Sequence, residues 1–143
     1  MTRKTQQELD DRDYERLLDF RTAIRKFLKY SKEQAENVGL TPTQHQLLLA
    51  IRGRSGHGPA TIGDVAERLL IRHHSAVELV DRAEAAGLVV RTNDERDQRV
   101  VRLRLTRSGA AKLERISIAN LRELGRLSSE LEEVWQAIAN ATD

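Results

Sequence analysis

The sequence has no cysteine and no apolar run long enough to cross a membrane. The absence of Cys among its 143 residues excludes disulfides, thiolate metal sites, cysteine nucleophiles and thiol-based sensing of oxidants. With 32% charged residues and a mean hydropathy of −0.55, no segment approaches the ~18–20 apolar residues of a membrane helix. Residues 1–10 also lack the apolar stretch of a signal peptide. We therefore expect one soluble, cytoplasmic domain.

Aromatic residues and net charge are both scarce. Aromatic side chains make up 3% of the chain, too few for a platform on which single-stranded nucleic acid stacks. The net charge is only +2, although the pI is about 9.2. The charges are unevenly distributed, however, because residues 88–107 hold six Arg against three acids, whereas residues 128–143 hold four acids and no Lys or Arg. This local asymmetry is more informative than the overall charge, and it favours a contact with nucleic acid around residues 88–107.

Long amphipathic helices are predicted at both ends of the chain. Apolar residues recur every three or four positions over residues 11–38, and Gly39 is suited to end that helix. The same spacing runs through residues 108–143. There Gly125, followed by Ser129 and Glu132 spaced as a capping box, predicts a break into two helices.

Three shorter helices are predicted between these ends. Residues 41–44 read Thr-Pro-Thr-Gln, a capping box with proline at the first helical position. Residues 53–59 contain three glycines and a proline and therefore predict a flexible loop. Thr61 and Asp64 then begin a third helix, and a fourth extends from about His74 to Ala86, before Gly87. The inward positions predicted for this fourth helix are Val77, Val80 and either Ala83 or Ala76, with Leu79 as a further candidate.

A β-hairpin is predicted after Gly87, where the hydrophobic period changes from helical to two. Residues 88–91 are β-rich, and the apolar residues of 101–105 alternate with Arg102 and Arg104. Two short helices joined by a tight turn and followed by a hairpin describe a winged helix-turn-helix. In this arrangement the second helix fits the major groove of DNA. Its first turn carries cationic and hydrogen-bonding side chains and no acid, namely Arg72, His73, His74 and Ser75.

Several segments together resemble the MarR family of bacterial transcriptional regulators. They include an Asp-x-Arg wing and a Leu-Thr-x-x-Gly exit from it. The segments are Val65-Ala66-Glu67-Arg68-Leu69, Leu79-Val80-Asp81-Arg82, Ala86-Gly87-Leu88-Val89, Asp97-Gln98-Arg99 and Leu105-Thr106-Arg107-Ser108-Gly109. The resemblance implies a homodimer that binds a pseudo-palindromic operator in double-stranded DNA, usually as a repressor released by a small-molecule effector. The sequence departs from the family pattern at three positions. Val77 stands where the family often has a polar residue, and Glu78 where it often has a basic or polar one. Ala83 replaces the usual leucine.

The resemblance also implies which residues contact DNA. Arg72, His73, His74 and Ser75 match the start of the recognition helix. In the wing, Arg99 matches the arginine placed in the minor groove, and Asp97 matches the acid that orients it. Arg96 at the hairpin tip is a further wing contact that we predict, because arginines there can enter the negative minor groove. Arg91 remains open, and Arg102 and Arg104 are expected to be solvated.

The predicted architecture is mainly α with a small β-hairpin wing, in a single domain over residues 1–143. Residues 40–107 form the winged-helix lobe that binds DNA. A winged helix needs only about half the chain, so the apolar stripes of residues 11–38 and 108–143 are expected to be buried in a two-fold dimer interface.

Other functions are less well supported by the sequence. No nucleophile and base are spaced for catalysis, so we predict no enzymatic activity and no cofactor. His73 and His74 are adjacent and would diverge on a helix, so no metal site is predicted. The sequence identifies no effector-binding residue. The alternative function is a helical protein-interaction module whose winged helix does not bind DNA.

Overall fold

The fold is mainly helical with a small antiparallel sheet, as predicted. A computed structural model describes residues 8–142, with side chains described over residues 8–140. None of the helices in this range is both long enough and apolar enough to span a membrane. Contacts divide the described residues into two compact units, one of residues 31–119 and one that joins residues 8–30 with residues 120–142. The elements are α1 (Asp11–Asn37), α2 (Pro42–Arg52), β1 (Ala60–Thr61), α3 (Ile62–Leu69), α4 (His73–Ala85), β2 (Val89–Asn93), β3 (Val101–Leu105) and α5 (Arg107–Thr142).

The predicted capping box at Thr41 and the predicted cap at Thr61 both begin helices, whereas the capping box predicted at Ser129 and Glu132 lies inside α5 and begins none. The Thr41 hydroxyl accepts from the Gln44 N–H at 3.1 Å, and the Gln44 side chain accepts from the Thr41 N–H at 3.0 Å. At the start of α3, Thr61 and Asp64 make the same reciprocal pair at 3.1 and 2.9 Å. Each box satisfies N–H groups that a helix leaves without an intrahelical partner. Local sequence therefore sets where α2 and α3 begin.

The turn between α3 and α4 is closed by a leucine in the left-handed conformation. Leu70 has φ 56° and ψ 41°, a region that usually requires Gly or Asn. Its N–H and that of Ile71 donate to Glu67 and Ala66 carbonyls at 3.3 and 3.0 Å. The left-handed residue ends α3 abruptly, so the chain can turn directly into α4.

Helix α4 packs on the core through small and branched side chains. It buries Ala76, Leu79, Val80 and Ala83, whereas Val77 is only partly buried. The prediction of Val77 as an inward residue is therefore wrong. The reason is geometric: at 3.6 residues per turn, the strip through positions 76, 80 and 83 places residue 77 at its edge.

The sheet contains one more strand than the sequence predicted. Its order is β1-β3-β2, and β2 and β3 form the predicted hairpin with Val89 opposite Leu105. The extra strand, β1, pairs Ala60 with Leu103 and Thr61 with Arg102. Two residues are too few to show the alternation that identifies a strand.

The hairpin joins α5 through a close backbone contact. The Thr106 N–H donates to the Leu88 carbonyl at 3.0 Å, and its hydroxyl donates to the Gly87 carbonyl and accepts from the Gly109 N–H. A Cβ on Gly109 would overlap the Leu88 carbonyl oxygen. Gly109 is therefore required by close packing, which accounts for the Leu-Thr-x-x-Gly exit from the wing.

Helix α5 is continuous, and the predicted break at Gly125 is wrong. The helix extends from Arg107 to Thr142, and the Ser128 hydroxyl donates back to the Gly125 carbonyl at 2.8 Å. A glycine inside a helix costs only about 1 kcal/mol. The apolar spacing continues in phase across it, with Leu127 2% exposed, so the helix tolerates Gly125.

The two glycines of α5 should respond oppositely to alanine. Gly109→Ala forces Cβ against the Leu88 carbonyl and should lower the free energy of unfolding by roughly 1–3 kcal/mol. Gly125→Ala is the matched control, because an added Cβ there meets nothing within 4 Å, and it should raise the free energy of unfolding by up to about 1 kcal/mol. Urea unfolding at equal protein concentration measures both. Equal effects of the two substitutions would contradict the close packing of Gly109.

The folded protein should lose stability as His45 is driven to protonate. His45 is 7% exposed, and its burial lowers the pKa of the imidazole below the usual value. The unfolded chain binds this proton more readily, so the free energy of unfolding falls as pH drops below about 6.5. In urea unfolding from pH 7.5 to 5.5, His45→Gln should reduce this pH dependence. Identical pH profiles for the wild type and His45→Gln would refute the assignment.

Candidate nucleic-acid interface

The start of α4 brings together the four residues predicted for the recognition helix. Arg72 is the N-cap, with φ −70° and ψ 153°, and no side chain caps the helix there. Arg72, His73 and His74 are exposed and Ser75 is partly buried. The first turn contains no acid, so the N–H groups and positive end of the helix dipole are available to an anion. The arrangement suits contacts with phosphates and base edges.

The hairpin tip is shaped by one aspartate. The Asp94 carboxylate accepts from the N–H groups of Arg96 and Asp97 at 2.8 and 3.1 Å. These bonds, with the Arg96 N–H contributing most and the Arg102 guanidinium next, hold the pKa of Asp94 below its usual value. Asp94 and Val100 close the turn by backbone bonds, Asp94 N–H to Val100 carbonyl and Val100 N–H to Asp97 carbonyl, both at 2.9 Å. The tip is therefore an ordered turn and presents its side chains in a defined direction.

Arg99 projects from this tip and is oriented by Asp97. Its side chain is 92% exposed, and its Nε donates to Asp97 Oδ1 at 3.1 Å. The Asp97 carboxylate also accepts from the Arg99 backbone N–H at 3.1 Å. A carboxylate that holds one edge of a guanidinium leaves the other donors free for a ligand. Arg96 is also exposed at the tip.

Arg102 is not solvated, which corrects the sequence-based expectation. Its side chain is 20% exposed and donates to Asp94 Oδ2 at 2.9 Å and to the Pro59 carbonyl at 2.8 Å. A Cβ added at Gly58, which has φ 76°, would lie 3.6 Å from the central carbon of this guanidinium. Arg102 therefore ties the wing to the loop before β1. Arg104 is exposed, as expected.

The glycine-rich loop is held by Arg54, a residue that the sequence reading did not single out. Arg54 Nη1 donates to the carbonyls of His57, Gly58 and Pro59. Its Nε lies 2.8 Å from Asp64 Oδ2. This set of bonds gives order to a loop that was expected to be flexible. The sequence gives only a weak signal for this role of Arg54, namely an arginine within a glycine-rich segment.

Arg91 is directed toward the recognition helix. It pairs with Asp81 and Glu84 on α4, and its N–H donates to the Glu84 carboxylate at 3.2 Å. The hydrogen bond to Asp81 contributes most to raising the pKa of Arg91 above its usual value. This contact braces the wing against α4 and occupies the guanidinium of Arg91, which the sequence had left open as a DNA contact.

The histidines do not assemble a metal site in the described part of the chain. No group of three His, Cys, Asp or Glu residues among residues 8–142 is placed to hold a metal ion. His73 and His74 are successive residues of α4, His45 is buried in α2, and His57 is in the glycine-rich loop.

Comparisons with known proteins agree with this geometry. The MarR family model matches residues 38–100. The HTH-type transcriptional repressor MdtR of Bacillus subtilis (strain 168) is 32% identical over 107 residues, which cover 73% of this chain and 67% of MdtR. The crystal structure of YusO from Bacillus subtilis is 27% identical with a TM-score of 0.62, covering 95% of this chain and 96% of YusO. An S. aureus MepR mutant bound to an oligodeoxyribonucleotide is 26% identical with a TM-score of 0.64, covering 94% and 95% of the two chains. The protein described here therefore belongs to the MarR family.

Proposed function

We propose that this protein is a transcription regulator that binds double-stranded DNA as a homodimer and represses genes from a pseudo-palindromic operator. The observation that carries the proposal is the pairing, within residues 31–119, of an acid-free first turn of α4 with an outward-facing Arg99 oriented by Asp97. A helix end of this kind suits the major groove, and a wing arginine suits the narrow minor groove beside it.

Residues 40–107 are assigned the role of the DNA-binding lobe. In the recognition helix, Arg72, His73, His74 and Ser75 contact base edges and phosphates. In the wing, Arg99 enters the minor groove of the DNA, Asp97 orients it, and Arg96 is a further DNA contact. This division follows the general pattern in which phosphate contacts position a protein and base contacts give specificity.

The relatives support a regulatory role. MdtR is named a transcriptional repressor, and the MepR mutant was crystallised with an oligodeoxyribonucleotide. The proposed role is non-enzymatic and cytoplasmic and needs no cofactor. A small-molecule effector could regulate DNA binding if it bound more tightly to one of two conformations of the protein than to the other. The alternative of a protein-interaction module would give no role to the oriented Arg99.

The dimer is assigned to residues 11–38 and 108–143. Several large apolar side chains on α1 and α5 are more than half exposed, which is costly for side chains of this size unless a partner covers them. A two-fold partner would bury them and would place two recognition helices about 34 Å apart, one turn of DNA. The exposed residues are Tyr14, Leu17, Leu18, Leu28, Leu121 and Trp135.

DNA binding should depend on salt and on Arg99. Fluorescence anisotropy with duplex DNA from upstream of the protein's own gene should give an affinity that falls as salt rises. Arg99→Ala should weaken binding by roughly tenfold and reduce the salt slope by about one. Arg126 on α5, whose side chain is 69% exposed, provides the control variant Arg126→Ala, which should bind as wild type does. Salt-independent binding, or an Arg99→Ala variant as tight as wild type, would contradict the proposed function.

The oligomeric state should depend on the apolar face of α1 and α5. Sedimentation equilibrium should give twice the chain mass of 16.3 kDa. Leu17→Glu combined with Leu121→Glu should shift the protein toward monomer, because charges are costly to bury in an apolar interface. Leu70→Glu, at a position 92% exposed in the α3–α4 turn, should leave the mass unchanged. A wild-type monomer, or a dimer unaffected by the double substitution, would refute this interface.

A further inference from the structure

The outward face of α4 carries an acid one turn after the recognition residues. The buried strip of α4 passes through Ala76, Val80 and Ala83, so at 3.6 residues per turn the opposite side holds His74 and Glu78. Both side chains are exposed. Residues at i and i+4 are neighbours on a helix surface, so Glu78 faces the same ligand as His74.

Glu78 differs from the other acids of α4 because it is not paired. Asp81 and Glu84 both bind Arg91. Over the residues that the structure describes, Glu78 forms no ion pair, and its carboxylate accepts no hydrogen bond from another residue. This holds although His74 and Arg82 are one turn away on either side. The carboxylate is therefore available to an external donor.

A free carboxylate on a DNA-reading face is unfavourable unless it gains a hydrogen bond, because the phosphates repel it. Of the base edges in the major groove, guanine presents only acceptors, and thymine presents an acceptor and a methyl group. Adenine presents a donor beside the N7 acceptor, whereas cytosine presents the N4 amino donor. An acceptor-only side chain thus favours cytosine.

We infer that Glu78 is a specificity-determining residue that accepts a hydrogen bond from the N4 amino group of a cytosine in the major groove of each half-site. The inference rests on the proposed function, since it concerns the same DNA-binding surface. Glu78 would contribute little to affinity for DNA in general, and its effect would be selective for one base pair in each half-site.

The test is a selection of binding sites from randomised duplex DNA by the full-length protein and by Glu78→Gln. Glutamine offers a donor and an acceptor that match adenine N6 and N7. Wild type should select a C·G pair at one symmetric position in each half-site, and Glu78→Gln should select A·T at that position with the rest of the site unchanged. Glu78→Gln should also prefer its own site over the wild-type site by roughly fivefold or more. Because Glu78 is exposed, the variant should fold and assemble as wild type does.

Controls separate base reading from charge repulsion. Glu114→Gln, at an exposed acid on α5, should select the wild-type site. The salt slope of Glu78→Gln should equal that of wild type, because no phosphate contact changes. An unchanged cytosine preference, with or without tighter binding to all sequences, would overturn the inference while leaving the proposed function intact. If wild type enriches no sequence at all, both the proposed function and this inference fail.

Discussion

The wing and the recognition helix form one structure because of the contact at Leu88, Thr106 and Gly109. Thr106 bonds to the carbonyls of Gly87 and Leu88, so the end of α4, the base of the hairpin and the start of α5 meet at one point. The contact is possible only because residue 109 has no Cβ. Protein interiors are close-packed and deform little, and the two DNA-reading elements are therefore positioned by backbone atoms near this point.

Arginines in this unit divide into those that hold the structure and those that face outward. Arg91 braces β2 against α4, and Arg102 joins the hairpin to the loop before β1. Arg91 is held by carboxylates of α4 and Arg102 by Asp94 in the turn of the hairpin, at 27% and 20% exposure. Arg99 also has a carboxylate partner, but Asp97 is only two residues away on the same turn, so the pair leaves the guanidinium 92% exposed. Of these three arginines, the two whose acids are seven to ten residues away brace the fold, and the one paired within its own turn projects from it.

The same distinction explains what the sequence could predict. The caps at Thr41 and Thr61, the end of α4 at Gly87 and the hairpin depend on neighbours within a few residues, and each was predicted. The family was recognisable because several such local features occur in order. Strand β1 and the role of Arg102 depend on residues about 40 positions apart, for which a single sequence contains no periodic signal. The break at Gly125 was predicted wrongly because a local signal was outweighed by the continuous apolar stripe of α5.

Internal pairing also explains how a chain with a net charge of +2 can present a basic surface. Asp64, Asp81, Glu84 and Asp94 are engaged by arginines that brace the fold, so these acids and their partners largely cancel within the structure. The charges left facing outward around α4 and the wing tip include Arg72, Arg96 and Arg99. The average charge of a chain is therefore a poor guide to nucleic-acid binding when some of its acids are paired inside the fold. An acid that is tolerated on the reading face of a helix without a basic partner on the protein is best explained by a hydrogen-bond donor on the ligand.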